Sequence, residues 1–538
     1  MTRVPWWDRA KHRVGGTHAA LALAALALGV YAVQALAWPV QRGRDTWDYL
    51  VYYLSLLDGS TPFPLVMLMR TPVTPLVLGP AAQLGGATGL EVLGGLLFAV
   101  TIVAWAATAY TFSRLAAVLV AGVLLLTAPF ALPFHEPSSD MVAATGFALF
   151  AFGLVRTCRR PTAWRFVALG GGVAALTLAR PPYQVLLLAI VLPLLLGRGW
   201  RVRAGWSAAF LAAGLLPLAA LAIHNGVRYG DTTVSRLGAL NVPFVRAYKS
   251  GRIDVENGPA SRRLGALVRT EVLPLPPYRR LRVDTSTYLR SRQYYEIIRL
   301  AGIVDRVDGV DSDYELLAAA AREIDPDDAF RVRGINIARA ARTTRRWLAH
   351  YPPYEARTKP ERWPVPAPTI VVEGALFPNP AALPPSREAV GYGFLQCATD
   401  EIDRCILRDP ASVLDDARVA RRYEEITATV RRWDQGLGAR APNAWLAARL
   451  DTARRFLPPL WAWLAIALAA LVVRRPAGSL ALVSLLVLAS AVFVVHALGL
   501  GGTAFFVLPV LPALPVVAIC ALAAPRRSPA AGLRGAAR

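Results

Sequence analysis

The sequence predicts an all-α polytopic membrane protein with about ten transmembrane helices and a mainly helical extracytoplasmic domain. Three observations predict this class. The mean hydropathy is +0.40, and 55% of the residues are hydrophobic whereas 18% are charged. The charged residues are sparse towards both ends of the chain and dense between about residues 225 and 455. Apolar runs of about twenty residues, enough for a helix to cross roughly 30 Å of hydrocarbon, recur in both charge-poor parts.

The apolar runs divide the chain into three parts. An N-terminal membrane domain (1–224) has seven predicted spans and an outer loop at 41–87, an extracytoplasmic domain covers 225–455, and a C-terminal unit (456–538) has three spans and a basic cytoplasmic tail. The first run lacks a small-residue cleavage site after it, so we interpret it as a retained signal anchor. The runs lie near residues 17–38, 88–111, 115–134, 141–156, 165–180, 183–198, 205–224, 457–473, 479–498 and 503–523.

Basic residues alternate along the short connections between the runs. Arg3 and Arg9 precede the first run, Arg114 follows the second, and residues 156–165, 197–203 and 474–475 continue the pattern. Because basic connections stay in the cytoplasm, both termini should lie inside and the long segment outside. A composition rich in alanine, arginine and proline is typical of a high-GC bacterial genome. The predicted location is therefore a bacterial plasma membrane, with membrane lipid as a partner.

The long charged segment shows mostly helical periodicity. Apolar residues recur at helical spacing over 313–324, 333–351 and 414–437, whereas the proline-rich stretch 351–385 predicts no regular structure. A net charge of +23 could indicate nucleic-acid binding. Many of the arginines, however, end apolar runs, and no basic stretch is interleaved with aromatic residues, so nucleic acid is excluded as a partner.

Cys397 and Cys405 are the only two cysteines of the long segment. An oxidising compartment favours a disulfide between them. The alternative is a pair of free buried thiols, because a straight helix would hold residues at this spacing about 12 Å apart.

Ionisable residues open each of the three outer connections of the N-terminal part. Asp45, Asp48 and Arg70 lie in the first, and a carboxylate beside an arginine suits a base and a phosphate clamp. Asp45 could instead simply cap a helix over residues 47–57.

The second and third outer connections repeat this pattern. His135, Glu136 and Asp140 lie in the second, where Ser139 or Asp140 could also serve only as a helix cap. Arg180 closes the span before the third and could instead extend to the lipid interface. Together the three connections suit a reaction on a lipid-linked anionic substrate.

The same residues resemble the motifs of the GT-C superfamily of polyprenyl-phosphate-sugar-dependent membrane glycosyltransferases, such as protein O-mannosyltransferases and the aminoarabinose transferase of lipid A. The resemblance covers about the first 250 residues. Three features differ from the family pattern. Thr46 replaces a common glutamate, the Lys-Pro-Pro of close relatives is Arg-Thr-Pro at residues 70–72, and no member we recognise has a similar outer domain. The matching residues are Asp45 with Tyr49, Arg70 with Pro72 and Pro75, Asp140, Arg180 with Pro181, and Asn225 with Gly230, Ser235 and Asn241.

The resemblance implies an inverting transfer of a sugar from a polyprenyl-phosphate donor to a cell-envelope glycan, lipid or protein. It implies that Asp45 is the general base. It implies that Glu136 or Asp140 binds the acceptor, acts as a second base or holds a divalent metal, Mg²⁺ or Mn²⁺. The substrate-binding residues that it implies are Asp48, Tyr49, Arg70, His135, Arg180 and Asn225.

Two other functions remain open from the sequence. A transporter or flippase of lipid-linked glycans would need polar residues deep in several spans, where Gln34, Glu91 and His496 are the main candidates. We interpret His496 as a packed residue rather than a proton relay. The other alternative is a non-catalytic scaffold. Convergence of Asp45, Arg70 and Arg180 would favour the enzyme over the scaffold.

Overall fold

The structure, a computed structural model, describes much of the chain but not all of it. The described residues are 6–41, 43, 45–58, 64–229, 232–235, 244, 247–248, 251–274, 283–290, 300, 313–324, 342, 369–372, 375–378, 417–434, 436–438, 440–453, 456–500 and 508–525.

The N-terminal part consists of helices joined by short connections. Two of the connections are 3-10 helices that begin with proline at their first or second position, Ala128–His135 and Pro181–Ile190. The α-helices are α1 (Trp6–Ala37), α2 (Thr46–Asp58), α3 (Pro64–Met69), α4 (Val73–Tyr110), α5 (Arg114–Leu126), α6 (Ser139–Arg159), α7 (Ala163–Ala179), α8 (Val191–Leu196) and α9 (Trp200–Tyr229).

The remainder of the described chain is also mainly helical. A 3-10 turn at Val255–Asn257 precedes α10, and a π-helical turn at Val268–Val272 follows it. The elements are α10 (Pro259–Leu267), α11 (Thr285–Leu289), α12 (Asp313–Ile324), β1 (Thr369–Val372), β2 (Ala375–Pro378), α13 (Ala417–Asp434), α14 (Ala444–Ala453), α15 (Leu460–Arg474), α16 (Ser479–Leu500) and α17 (Ala513–Ala523).

Five described helices are long and apolar enough to cross a membrane, and a sixth crossing results if α5 and the following 3-10 helix, bent by 64°, count as one span. The other four apolar stretches are shorter helices of 10–17 residues. The prediction of ten spans is thus supported by length for five or six and stays a prediction for the rest. The five are Gly16–Ala37, Val73–Tyr110, Ser139–Arg159, Trp200–Arg228 and Ser479–His496.

The helix α4 begins earlier than the second predicted span. That span was expected to start near residue 88, but the helix starts at Val73 and turns at Gly86, which has φ 53° and ψ −133°. Only glycine adopts this backbone conformation readily. The predicted outer loop 41–87 therefore contains α2, α3 and the first part of α4.

Two apolar cores are present in the described residues. The larger joins the N-terminal helices to α15, α16 and α17, so the C-terminal helices pack directly against the N-terminal ones. The smaller lies between residues 244 and 324 and includes Tyr248, Val268 and Leu317. The predicted helix at 313–324 is confirmed as α12, and most of the one at 414–437 as α13.

One prediction for the long segment is wrong, and others fall outside the described residues. The proline-rich stretch 351–385 contains β1 and β2, which pair as an antiparallel hairpin with Ile370 opposite Phe377. Three β-branched residues, Ile370 to Val372, favour a strand there despite the prolines on either side. Of the predicted helix at 333–351, only residue 342, which is helical, is described, and Cys397 and Cys405 lie outside the described residues.

The end of the long segment is attached to the outer-loop helices. The Trp433 ring of α13 lies 6.4 Å from the Tyr53 ring of α2. Past α13, the Gly438 amide donates to the Val40 carbonyl at 2.9 Å, and the Asn443 amide donates to the Leu36 carbonyl at 3.2 Å. These bonds fix the chain entering the C-terminal helices against the end of α1.

Candidate active site

Arg70 lies between two carboxylates of the first outer connection. Its guanidinium donates to both Asp45 oxygens, at 2.8 and 3.2 Å, and its Nε donates to Asp48 at 3.0 Å. The Asp48 side chain is 1% exposed, whereas that of Asp45 is 27% exposed. The helix α2 begins at the residue after Asp45, so the alternative of a capping role for Asp45 stays a prediction beside its bonds to Arg70.

Burial sets the ionisation of this group. The pKa of Asp48 is raised from 3.8 to about 7, mainly by removal from water and less by the Asp45 charge, against the opposing effect of Arg70. The pKa of Arg70 stays well above its ordinary value despite burial, because two carboxylates stabilise its charge. Burial likewise raises the pKa of the Tyr49 phenol to about 12. Tyr49 therefore stays neutral at pH 7, while Asp48 takes up a proton near pH 7.

Hydrogen bonds join the first outer connection to the second. The Thr46 hydroxyl donates to the Pro137 carbonyl at 2.6 Å, and the Gln41 amide donates to the His135 carbonyl at 3.0 Å. A side chain at Gly43 would approach the Pro137 oxygen to 2.7 Å, so glycine permits this contact. The two connections therefore form one unit.

The second and third connections meet through a buried ion pair. Arg180, at the C-terminal end of α7, pairs with Asp140 in the first turn of α6, and both residues are buried. Because Arg180 is buried and paired, the alternative of an arginine extended to the lipid interface is wrong. Ser138, rather than Ser139 or Asp140, is the cap of α6, because its hydroxyl accepts from the Asp140 amide.

Two contacts bring both arginine groups together. The guanidinium carbon of Arg70 lies 5.5 Å from the centre of the Tyr49 ring. The Tyr49 phenol also hydrogen-bonds with Ser139, and the charge of Arg180 acts on it. On the other side, the Thr74 hydroxyl donates to the Ala179 carbonyl at 3.1 Å, next to Arg180. The structure therefore brings Asp45, Asp48, Tyr49, Arg70, Asp140 and Arg180 into one cluster, which we call the acid–arginine cluster.

Three other predicted residues lie beside this cluster or away from it. The ring of His135 stacks on Tyr31 at 4.7 Å and hydrogen-bonds with the Trp38 backbone, so its contacts are with the end of α1. Glu136 lies beside Gly43 at the edge of the first connection. The Asn225 amide donates to the Thr233 carbonyl at 2.8 Å, which ties the last turn of α9 to the chain after it.

The donor set does not fit a divalent metal. Asp45 and Asp48 both bind Arg70, and Asp140 binds Arg180, so each carboxylate already has a cationic partner. Among the described residues, no three His, Cys, Asp or Glu side chains are grouped closely enough to hold an ion. We therefore derive no step through a metal.

Sequence reasoning did not connect Ser139, Tyr183 and His496 with the cluster. Ser139 was considered only as a cap, although it contacts Tyr49. Tyr183 and His496 form an edge-to-face ring pair at 5.5 Å, and the charge of Arg180 acts on both. A weak signal existed for Tyr183, which follows the Arg-Pro-Pro sequence directly. No local signal links His496 to residues so distant along the chain.

A small cavity of about 130 Å³ lies away from the acid–arginine cluster. Its lining includes Val40, Glu91, Gly438 and Arg440, and the last of these forms an ion pair with Glu91. Pockets that enclose organic ligands usually measure about 300–1,000 Å³, so this one is too small for a lipid-linked sugar.

Comparison of the chain with protein-family models finds no match, and comparison with curated proteins finds none either.

Proposed function

We propose that the protein is an inverting glycosyltransferase that moves a sugar from a polyprenyl-phosphate donor to a cell-envelope acceptor at the outer face of the plasma membrane. The observation that carries the proposal is the acid–arginine cluster. Residues of three separate connections meet there, with Asp45, Arg70 and Arg180 together. A scaffold has no need for buried charges, which are costly to fold.

The proposed chemistry assigns a different task to each carboxylate. In an inverting transfer, the acceptor oxygen attacks the anomeric carbon of the sugar, its proton passes to a base, and the phosphate leaves with the bonding electrons. Asp45 suits the base because its side chain is the more exposed of the two that bind Arg70. Asp48, buried behind Arg70, suits a positioning role.

The two arginines suit the leaving phosphate. A guanidinium has five N–H donors in a fixed plane. Four bonds from Arg70 go to Asp45 and Asp48, which leaves one donor for a phosphate oxygen. Both guanidinium groups are largely shielded from water, which strengthens their effect on a developing anion. Glu136, beside the cluster, suits contact with the acceptor.

The proposed orientation has all ten apolar stretches crossing the membrane, both termini in the cytoplasm and the long segment outside. The acid–arginine cluster would then lie at the outer interface, where the headgroup of a lipid-linked sugar emerges. The long segment, which contacts α2 through α13 and the end of α1 through the residues after α13, would help to select the acceptor.

The deciding experiment compares wild type with Asp45→Asn, which removes the basic oxygen with little change in shape. The purified protein would be assayed with a panel of polyprenyl-phosphate sugars and a crude envelope acceptor. We expect transfer to fall by about 10²–10⁴-fold, the usual contribution of a general base. Folding and donor binding should persist. Glu271→Gln, an exposed carboxylate of the long segment, is the control and should leave transfer unchanged.

Equal transfer by wild type and Asp45→Asn would remove Asp45 as the base and direct attention to Glu136 and Asp140. Donor binding without transfer of any sugar would favour the alternative function, a transporter or flippase of lipid-linked glycans.

A further inference from the structure

Tyr183 lies next to the acid–arginine cluster but has no part in the chemistry proposed above. It follows Arg180 in the 3-10 helix that begins at Pro181, and its side chain is 0% exposed. Its hydroxyl has no hydrogen-bond partner among the described residues. Since buried hydroxyl groups are nearly always hydrogen-bonded, this one requires an explanation.

The surroundings of the hydroxyl indicate the kind of partner that it would bind. The Tyr183 ring packs at 6.3 Å against Phe147 of α6, and the Tyr183 amide donates to the Arg180 carbonyl at 3.1 Å, one 3-10 turn earlier. The positive charge of Arg180 also acts on the phenol. A hydrogen-bond donor within the field of a guanidinium and packed against aromatic side chains matches a phosphate carried on a hydrocarbon chain.

His496 holds the other side of the Tyr183 ring. The two rings meet edge to face at 73°, and Nδ1 of His496 lies 2.8 Å from the Val492 carbonyl of its own helix. Because a carbonyl can only accept, Nδ1 must donate, and this bond fixes the orientation of the imidazole. His496 lies about one turn from the end of α16, so a helix that follows the long segment contributes to the same region.

We infer that the Tyr183 hydroxyl donates a hydrogen bond to the phosphate of the polyprenyl-phosphate donor held by Arg180, and that His496 is a positioning residue for Tyr183. This inference rests on the proposed function and specifies how its donor is recognised. The phosphate would share Arg180 with Asp140, and its hydrocarbon chain would leave past the aromatic side chains.

Tyr183→Phe removes the hydroxyl alone, and Tyr248→Phe is the matched control. The Tyr248 hydroxyl is also buried but donates to the Tyr288 carbonyl at 2.9 Å, in the core of the long segment. For each variant in detergent, the dissociation constant of polyprenyl monophosphate and the temperature of unfolding would be measured.

The two variants should behave in opposite ways. Tyr183→Phe should bind the polyprenyl monophosphate roughly tenfold or more weakly, as expected for loss of a hydrogen bond to a charged group. Its unfolding temperature should stay the same or rise, because no protein partner loses a bond. Tyr248→Phe should unfold at a lower temperature and bind with unchanged affinity.

A double-mutant cycle tests the positioning role of His496. His496→Ala should weaken binding when Tyr183 is present and have little further effect in the Tyr183→Phe background, because both changes act through one hydroxyl. Additive losses would overturn the positioning role.

Three outcomes separate the inference from the proposed function. Failure of wild type to bind the polyprenyl monophosphate would contradict the proposed function itself. Binding that Tyr183→Phe leaves unchanged would overturn only the inference. The corresponding polyprenyl alcohol has no phosphate. If Tyr183→Phe weakened the binding of this alcohol as much as that of the monophosphate, the inference would also be overturned.

Discussion

Asp45 and Asp48 are three positions apart and share the guanidinium of Arg70, yet burial gives them different properties. Asp48 is enclosed behind the arginine, and its pKa is raised to about 7, mainly by removal from water. Near neutral pH it therefore changes between a neutral and a charged form. The net positive charge at Arg70 that is available to bind an anion therefore changes with the protonation of Asp48.

This behaviour predicts a pH dependence of donor binding. Below about pH 7 Asp48 is protonated, so Arg70 has only the Asp45 charge to balance. Above that pH the second negative charge repels a phosphate. Relative to the Asp48→Asn variant, the dissociation constant of polyprenyl monophosphate should therefore rise, roughly tenfold, between pH 6 and pH 8. The comparison cancels the second ionisation of the phosphate, which occurs near pH 6 in both proteins. Isothermal calorimetry in detergent at several pH values measures it.

Asp48→Asn is the control for this prediction, because the amide resembles the protonated acid. In that variant the contribution of Asp48 should disappear, so that only the pH dependence from the ionisation of the phosphate itself remains. A variant that retained the full pH dependence would assign the effect to another group, and Tyr49, with a pKa of about 12, could not be that group.

At the residue scale, the sequence predicted which residues belong to the cluster better than it predicted which of them pair with each other. Asp45, Asp48, Tyr49, Arg70, Asp140 and Arg180 were all singled out from short motifs, and the structure brings these six together. Their pairing was not predictable, because it depends on contacts between connections that are far apart in the chain.

At the element scale, the turn of α4 at Gly86 separates the part of the helix next to Arg70 from the part that was predicted to span the membrane. The prolines of the first part, Pro75 and Pro80, gave no sign that a helix continues through them. Tertiary contacts, such as the Thr74 bond to Ala179, stabilise what local propensity disfavours.

Gly86→Ala should destabilise the protein by about 1–3 kcal/mol, because alanine is strained at φ 53°. Steric overlap does not cause this loss of stability, because a Cβ at position 86 would lie 3.4 Å from the nearest atom, the Trp433 carbonyl oxygen. Thermal unfolding in detergent measures the effect.

The neighbouring Gly85 provides the matched control. It lies in the same helix, and a Cβ there would meet nothing within 4 Å. Gly85→Ala should leave the unfolding temperature unchanged or raise it slightly, since alanine is the better helix former. Equal losses for both variants would show that the backbone turn at position 86 is not the source of the strain.

At the scale of the whole molecule, the predicted orientation can be tested by chemical labelling. In a variant whose four native cysteines are replaced, we expect Thr232→Cys to react with a membrane-impermeant maleimide on intact cells. Trp200→Cys, exposed at the start of α9, should react only after permeabilisation. The exposed position 232 lies beyond the end of the same helix.

Labelling of Trp200→Cys on intact cells, with Thr232→Cys protected, would invert the orientation and contradict a site at the outer face. Labelling of both on intact cells would mean that α9 does not cross the membrane.

Run length alone anticipated the five apolar helices of the described residues that are long enough to cross a membrane. It did not anticipate how the N-terminal and C-terminal apolar parts associate. The packing of α16 and α17 against the N-terminal helices could not be read from the sequence, because such contacts depend on shape rather than on pattern.

The attachment of the long segment to α1 uses backbone atoms on both sides, from Gly438 to Val40 and from Asn443 to Leu36. Backbone contacts of this kind do not depend on which side chains are present, and so they tolerate sequence drift. During evolution the inserted domain could therefore be exchanged for one of unrelated sequence while the membrane helices were kept. A chimaera joined after the end of α9 at Tyr229 and again just before Gly438 would reproduce such an exchange in the laboratory.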